Sequence, residues 1–173
     1  MIVQGRAWKY GDNLGATDIV SADYDKLGMS HDWDGCAKHV LESVDPEFLQ
    51  KLVPGDIVVA GSRLGTGHAH YYTSAIMACK YAGIAALFCE SVNALFQRAA
   101  IDQGYPIWPL PGIADFVNDG DRLRIDLASG EAQNETTGES RRFLPVPQLV
   151  RDILAAGNAL DWALARVAYG RAR

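Results

Sequence analysis

The sequence predicts an α/β fold built on a largely parallel central sheet, with a small antiparallel β element beside it. Three observations carry this reading. Residues 55–110 alternate apolar runs with helix-like segments in the order β-α-β-α-β, the pattern of a parallel sheet with right-handed crossovers. The run Ile57–Ala60 is apolar at every position, as in a strand covered on both faces. Asp121–Leu127 instead alternates polar and apolar residues, as a half-buried strand does.

Taken in order, residues 2–8 form a first strand entering a turn at Gly11-Asp12-Asn13, residues whose side chains and backbone suit turns. Thr17 or Asp18 could cap a short helix. Residues 21–35 are polar, with Gly28 and Gly35, and read as a long flexible loop of the kind that carries function. Residues 36–44 suggest a helix. Asp45 and Pro46 suggest another, with Asp45 as N-cap and Pro46 at the first helical position. Phe48, Leu49 and Leu52 supply its apolar face, and Pro54-Gly55 ends it.

After the strand at Ile57–Ala60, a helix is expected over Thr73–Ala82, stopped by Gly83. Ile84–Cys89 is the next buried strand, Asn93–Gln103 the next helix and Tyr105–Leu110 a third strand. Pro106 and Pro109 suit that strand to an edge. Beyond it, Ser129-Gly130 and Thr136–Glu139 are turns, and Arg142–Leu144 is a candidate partner for the strand at Asp121–Leu127. The tail, 147–166, reads as one or two helices broken near Gly157-Asn158. Without an internal repeat or a low-complexity linker, residues 1–173 read as a single domain.

Composition narrows the function. Of 173 residues, 49% are hydrophobic and 21% charged, with a formal net charge of −5. That is ordinary for a soluble globular chain and argues against a general nucleic-acid binder, which needs a basic face for phosphates. The three cysteines, Cys36, Cys79 and Cys89, are scattered, with no CxxC pair. No metal site follows from them, and a reducing compartment is the simple expectation. The opening residues lack an apolar signal region, and no run approaches the roughly 20 apolar residues that span a bilayer. The expectation is a cytoplasmic protein bound to neither membrane nor nucleic acid.

The chemistry concentrates after Ala60. Glycines at 61, 65 and 67 are followed at once by His68, Ala69, His70, Tyr71 and Tyr72. A glycine loop running from a strand into a helix presents free backbone N–H groups and reactive side chains at a helix N-terminus. His68 and His70 could also form a metal pair, but no third ligand is identifiable. Tyr71 and Tyr72 suit packing as well as binding.

Five blocks in order resemble a known family. Gly5-Arg-Ala-Trp-Lys-Tyr-Gly-Asp-Asn-Leu14 followed by Thr17-Asp18 is similar to the family's opening. Gly55-Asp-Ile-Val-Val-Ala-Gly61 with Gly65-Thr-Gly67 is similar to its strand and glycine loop. Gly83-Ile-Ala-Ala86, Asn93-Ala-Leu-Phe96 and Gly104-Tyr-Pro-Ile107 are similar to its next unit; Gly120-Asp121 and Gly157-Asn-Ala-Leu160 also fit. On these residues the chain resembles the small subunit of the 3-isopropylmalate dehydratase (isopropylmalate isomerase) family, the swivelling domain of aconitase-type hydro-lyases.

The resemblance implies an aconitase-like swivelling β/β/α fold and a heteromeric enzyme. It implies a large subunit bearing a [4Fe–4S] cluster, no cofactor on this chain, and reversible dehydration of a small 2-hydroxy carboxylic acid. In such a reaction a metal acts as Lewis acid on the leaving hydroxyl while a base takes the neighbouring proton.

The catalytic loop departs from the family pattern. There, Gly-x-Gly precedes Ser-Ser-Arg-Glu, with the first serine as base and the arginine gripping a carboxylate. Here the run is His68-Ala69-His70-Tyr71. The resemblance therefore places His68 at the base position and His70 at the arginine position, with Gly65, Thr66, Gly67 and Ala69 as the substrate-facing backbone. An imidazole, with an ordinary pKa of about 6.5, is a competent base near neutral pH, but it lacks the bidentate fork of a guanidinium. The arginines expected after Thr17-Asp18 are also missing: the run is Ala22-Asp-Tyr-Asp-Lys26. Arg63 could replace one of them. Thr17 and Asp18 could face substrate or only organise a turn. The expectation is a substrate other than 3-isopropylmalate. The alternative is a binding or regulatory module that keeps the fold without the chemistry.

Overall fold

The structure, a computed structural model, describes residues 1–171. Seven strands form one sheet in the order β4-β3-β2-β1-β5-β6-β7. They are β1 (Ile2–Lys9), β2 (Ile57–Ala60), β3 (Ala86–Cys89), β4 (Ile107–Pro109), β5 (Arg122–Asp126), β6 (Glu131–Asn134) and β7 (Ser140–Arg142). Strands β1 to β4 pair in parallel, and β5 to β7 continue the sheet antiparallel from the other edge of β1.

The sheet changes character within β1. Its first half, Ile2–Arg6, pairs with β5, and its second half, Ala7–Lys9, pairs with β2. Gly5 sits where the chain approaches the turn before β2, and a Cβ there would lie 2.1 Å from the Gly55 carbonyl oxygen. Only glycine fits that approach.

Both faces of the parallel half are covered. Val58 and Ala60 face one core with Ile19, Phe48, Ile76 and Phe96. Ile57 and Val59 face the other with Ile113, Phe116, Leu123 and Phe143. Side chains alternate across a strand, so a strand between two cores must be apolar throughout, as Ile57–Ala60 is. Helices α5 (Tyr72–Ala82) and α6 (Ala94–Asp102) make the crossovers. Gly83 ends α5 at φ 88°, and Asn93 caps α6 by accepting from the N–H groups of Leu95 and Phe96.

The segment read as a flexible loop, 21–35, is helical instead. Ala22–Tyr24 is a 3₁₀ turn, and α2 (Asp25–Met29) and α3 (Trp33–Ala37) follow the short α1 (Ala16–Ile19). Local side chains start these pieces: Ser21 Oγ accepts from Asp23 N, and Asp32 Oδ1 accepts from Gly35 N. Tyr24, Leu27 and Trp33 then pack on the core. Helices this short show no periodicity in sequence, so the polar composition misled.

The helix expected over 36–44 is also corrected. It ends at Ala37, and Leu41 takes a left-handed φ of 59°. There its N–H donates to the Ile19 carbonyl at 2.7 Å. Helix α4 spans Phe48–Lys51, and Asp45 starts the turn before it, accepting from Glu47 N.

In the antiparallel part, β6 is a strand the sequence did not suggest, and β7 ends where the candidate partner strand was to begin. Helices α7 (Ile113–Phe116), α8 (Gln148–Ala156) and α9 (Ala159–Arg171) complete the fold, with Gly157 at φ 93° between the last two. Among the described residues no helix is long and apolar enough to cross a membrane.

Candidate functional site

The loops after β1, β2 and β3 meet at the carboxyl edge of the parallel strands, the usual place for a ligand in such a sheet. They are knitted by backbone hydrogen bonds. Gly61 N donates to Gly11 O at 3.0 Å, Asn13 N to Ser62 O at 2.8 Å, Gly65 N to Leu14 O at 2.8 Å and Ala16 N to Thr66 O at 3.0 Å. Leu64 N donates to Ser91 O at 3.0 Å, and Asn93 N returns a bond to Leu64 O at 2.8 Å.

The glycines have distinct reasons. Gly65 has φ 74°, and a Cβ would lie 2.2 Å from the Phe96 ring. Gly67 has φ 103° with open space around it, so only its backbone conformation demands glycine. Tyr72 OH donates to the Gly67 carbonyl at 3.0 Å, and its ring packs edge-on against Phe96. Tyr72 therefore closes the loop from beneath.

The two histidines differ in surroundings. A 3₁₀ turn, Ala69–Tyr71, joins the loop to α5, and His68 caps it with its carbonyl, which accepts from Tyr71 N. The His68 ring is exposed and, among the described residues, takes no hydrogen bond. His70 Nε2 lies 2.9 Å from Asp25 Oδ1, and its ring meets Tyr71 edge-on at 4.9 Å. A surface hollow of about 230 Å³ opens beside it, lined among others by Asp25, His31, Trp33, His70, Thr73 and Ser74. Nothing in the local sequence marks Asp25, which lies 45 positions from His70.

The other candidates resolve as follows. Asp18 Oδ2 accepts from Gly15 N at 2.8 Å, but Gly15 is the N-cap of α1 and Asp18 lies within the helix, bonding back to the cap. Thr17 is half-buried on the same short helix. Arg63 takes φ 62°, and its Nε donates to Asn13 Oδ1 at 2.6 Å. It lines a separate hollow of about 240 Å³ with Thr66, Ser91, Val92 and Asn93. Thr66 thus belongs to the Arg63 side of the loop, and Ala69 to the histidine side.

The cysteines do not fit an iron–sulfur cluster. Cys36, Cys79 and Cys89 are buried separately in the core. Burial pushes the Cys79 and Cys89 thiols up to about 12, the reverse of the lowered values that ligating thiols need. Among the described residues no group of three His, Cys, Asp or Glu could hold a metal ion.

No family model matches the chain, but individual proteins do. It is 38% identical over 162 residues to the 3-isopropylmalate dehydratase small subunit of Nautilia profundicola, covering 94% of each chain. It is 35% identical over 167 residues to the isopropylmalate/citramalate isomerase small subunit of Methanocaldococcus jannaschii, covering 96% of each. The crystal structure of 3-isopropylmalate dehydratase (LeuD) from that organism superposes with a TM-score of 0.88 at 30% identity, covering 99% of this chain and 98% of that one. With the parallel strands, the interlocked loops and near-complete coverage in agreement, the chain belongs to the 3-isopropylmalate dehydratase small-subunit family.

Proposed function

We propose that this chain is the substrate-facing subunit of a heteromeric hydro-lyase, active only with a large subunit that carries a [4Fe–4S] cluster. Its substrate is a 2-hydroxy carboxylic acid other than 3-isopropylmalate. One observation carries the reading: the glycine loop, which resembles the family's, is locked by the Leu14–Ala16 strip, while the run after it is His68-Ala-His70 where the resemblance expects Ser-Ser-Arg. A retained frame with exchanged side chains fits a retained reaction type on a changed substrate. An imidazole of this run takes the proton that the family's serine takes. The carboxylate grip falls to the loop N–H groups, since His70 offers no guanidinium fork and Arg63 lines the separate hollow with its Nε on Asn13.

Coexpression with a candidate cluster-bearing subunit tests this. The expected result is an anaerobic complex that dehydrates a 2-hydroxy acid, with 3-isopropylmalate a poorer substrate than at least one other acid, citramalate being the first to assay. Failure of any cluster-bearing chain to copurify overturns the proposal. A complex that binds 2-hydroxy acids without turning any over favours the binding or regulatory module.

A further inference from the structure

The two histidines are not equivalent, and the difference assigns their work. A histidine that accepts a proton from carbon needs one ring nitrogen with a free lone pair in a fixed direction, which the partner of the other nitrogen sets. An ionised carboxylate only accepts hydrogen bonds. With Asp25 Oδ1 at 2.9 Å, His70 Nε2 is the donor, and in the neutral ring Nδ1 then carries the lone pair. The edge contact with Tyr71 at 4.9 Å holds the ring from a second side.

The His68 ring has neither restraint. Asp25 and His70 keep 31% and 54% of their side-chain surface exposed. A pair so exposed contributes little to stability, so its geometry is better explained by what it leaves free at Nδ1. The hollow beside it is also lined by Thr73, Ser74 and Trp33, with His31 as the other titratable group.

We propose that His70 is the proton-transfer group of this loop and Asp25 its positioning residue, with His68 outside the chemistry. The proposal rests on the hydro-lyase reading above. In the dehydration direction, His70 Nδ1 takes a proton from the carbon next to the one bearing the hydroxyl. The C–H electron pair becomes the new C=C bond as the neighbouring C–O bond breaks. The departing hydroxide and the proton held on His70 together account for the water lost.

Two measurements test it. In the first, the full chain with ¹⁵N-labelled histidine is examined by NMR. Neutral His70 is expected as the Nε2–H tautomer, becoming a mixture in Asp25→Asn, while His68 is a mixture in both. Asp25→Asn should leave the denaturation midpoint unchanged. Neutral His70 in the Nδ1–H form, or indifferent to Asp25→Asn, overturns the positioning role.

In the second, the assembled complex is assayed on whichever 2-hydroxy acid it turns over. His70→Gln should lower kcat about 10²–10⁴-fold, and Asp25→Asn about 10–100-fold with KM little moved. Asp25→Glu should recover part of the loss, and added imidazole should restore part of the activity of His70→Gly. His68→Gln should stay within a few fold of wild type. A silent His70→Gln, or a larger loss from His68→Gln, overturns this proposal alone. A wild-type complex inert toward every such acid overturns the enzyme reading and this one with it.

Discussion

The N–H of Gly65 donates to the carbonyl of Leu14 at 2.8 Å, binding the loop after β2 to the loop after β1. Around this bond the two loops form one rigid rim on which the histidine run is mounted. Substitutions at the two nearby glycines should therefore differ in effect.

Gly65→Ala meets both a left-handed φ of 74° and the Phe96 ring. It should destabilise the chain by about 2–4 kcal/mol. Gly67→Ala meets only the backbone cost, about 1–2 kcal/mol, because nothing lies near its Cβ position. Denaturant unfolding of the two variants checks the order; equal losses would show that Phe96 does not constrain the loop.

Asp56 ties β1 to the turn before β2. Its Oδ2 accepts from Arg6 Nη2 at 2.7 Å, Trp8 Nε1 at 2.8 Å and Val53 N at 3.0 Å. Burial pushes the carboxyl up, but the Arg6, Trp8 and Val53 bonds outweigh it and hold it below its ordinary value. A carboxyl lowered in the folded state adds stability above its unfolded pKa of about 3.9, lost as pH falls through the folded value. Asp56→Asn should cost about 1.5–3 kcal/mol at neutral pH. The difference from wild type should shrink in acid below about pH 4. Urea midpoints across pH for both proteins measure this, and a pH-independent difference would contradict it.

The buried thiols should be inert in the folded chain. With Cys79 and Cys89 at about 12, and Cys36 also raised, mainly by burial, almost no thiolate exists at neutral pH. A thiol reagent should label none of the three in the native chain and all three in denaturant. Incubating the isolated chain with iron and sulfide should yield no bound cluster. Rapid labelling of the native chain would overturn both expectations.

Residues that repeat a local rule were readable in advance. Asn93 before Ala94 and Gly83 after Ala82 marked helix ends, because caps act within a few residues. The short pieces between Ser21 and Ala37 were not, since each gains its stability from packing Tyr24, Leu27 and Trp33 on the core rather than from its own pattern. Strand β6, Glu131–Asn134, hid for a related reason. Its buried positions are Ala132 and Asn134, and Asn134 is buried as a hydrogen-bonding group that donates to Phe116 O and Asp121 Oδ2.

By itself the sequence determined the parallel unit, the strand covered on both faces, and the glycine loop with its histidines close behind it. All are encoded in neighbouring positions, by side-chain alternation and by backbone freedom. Only the tertiary structure decided which histidine has a partner. Asp25 and His70 are 45 positions apart, and no periodicity links them. They meet because α2 packs beside α5, and that packing depends on the whole core.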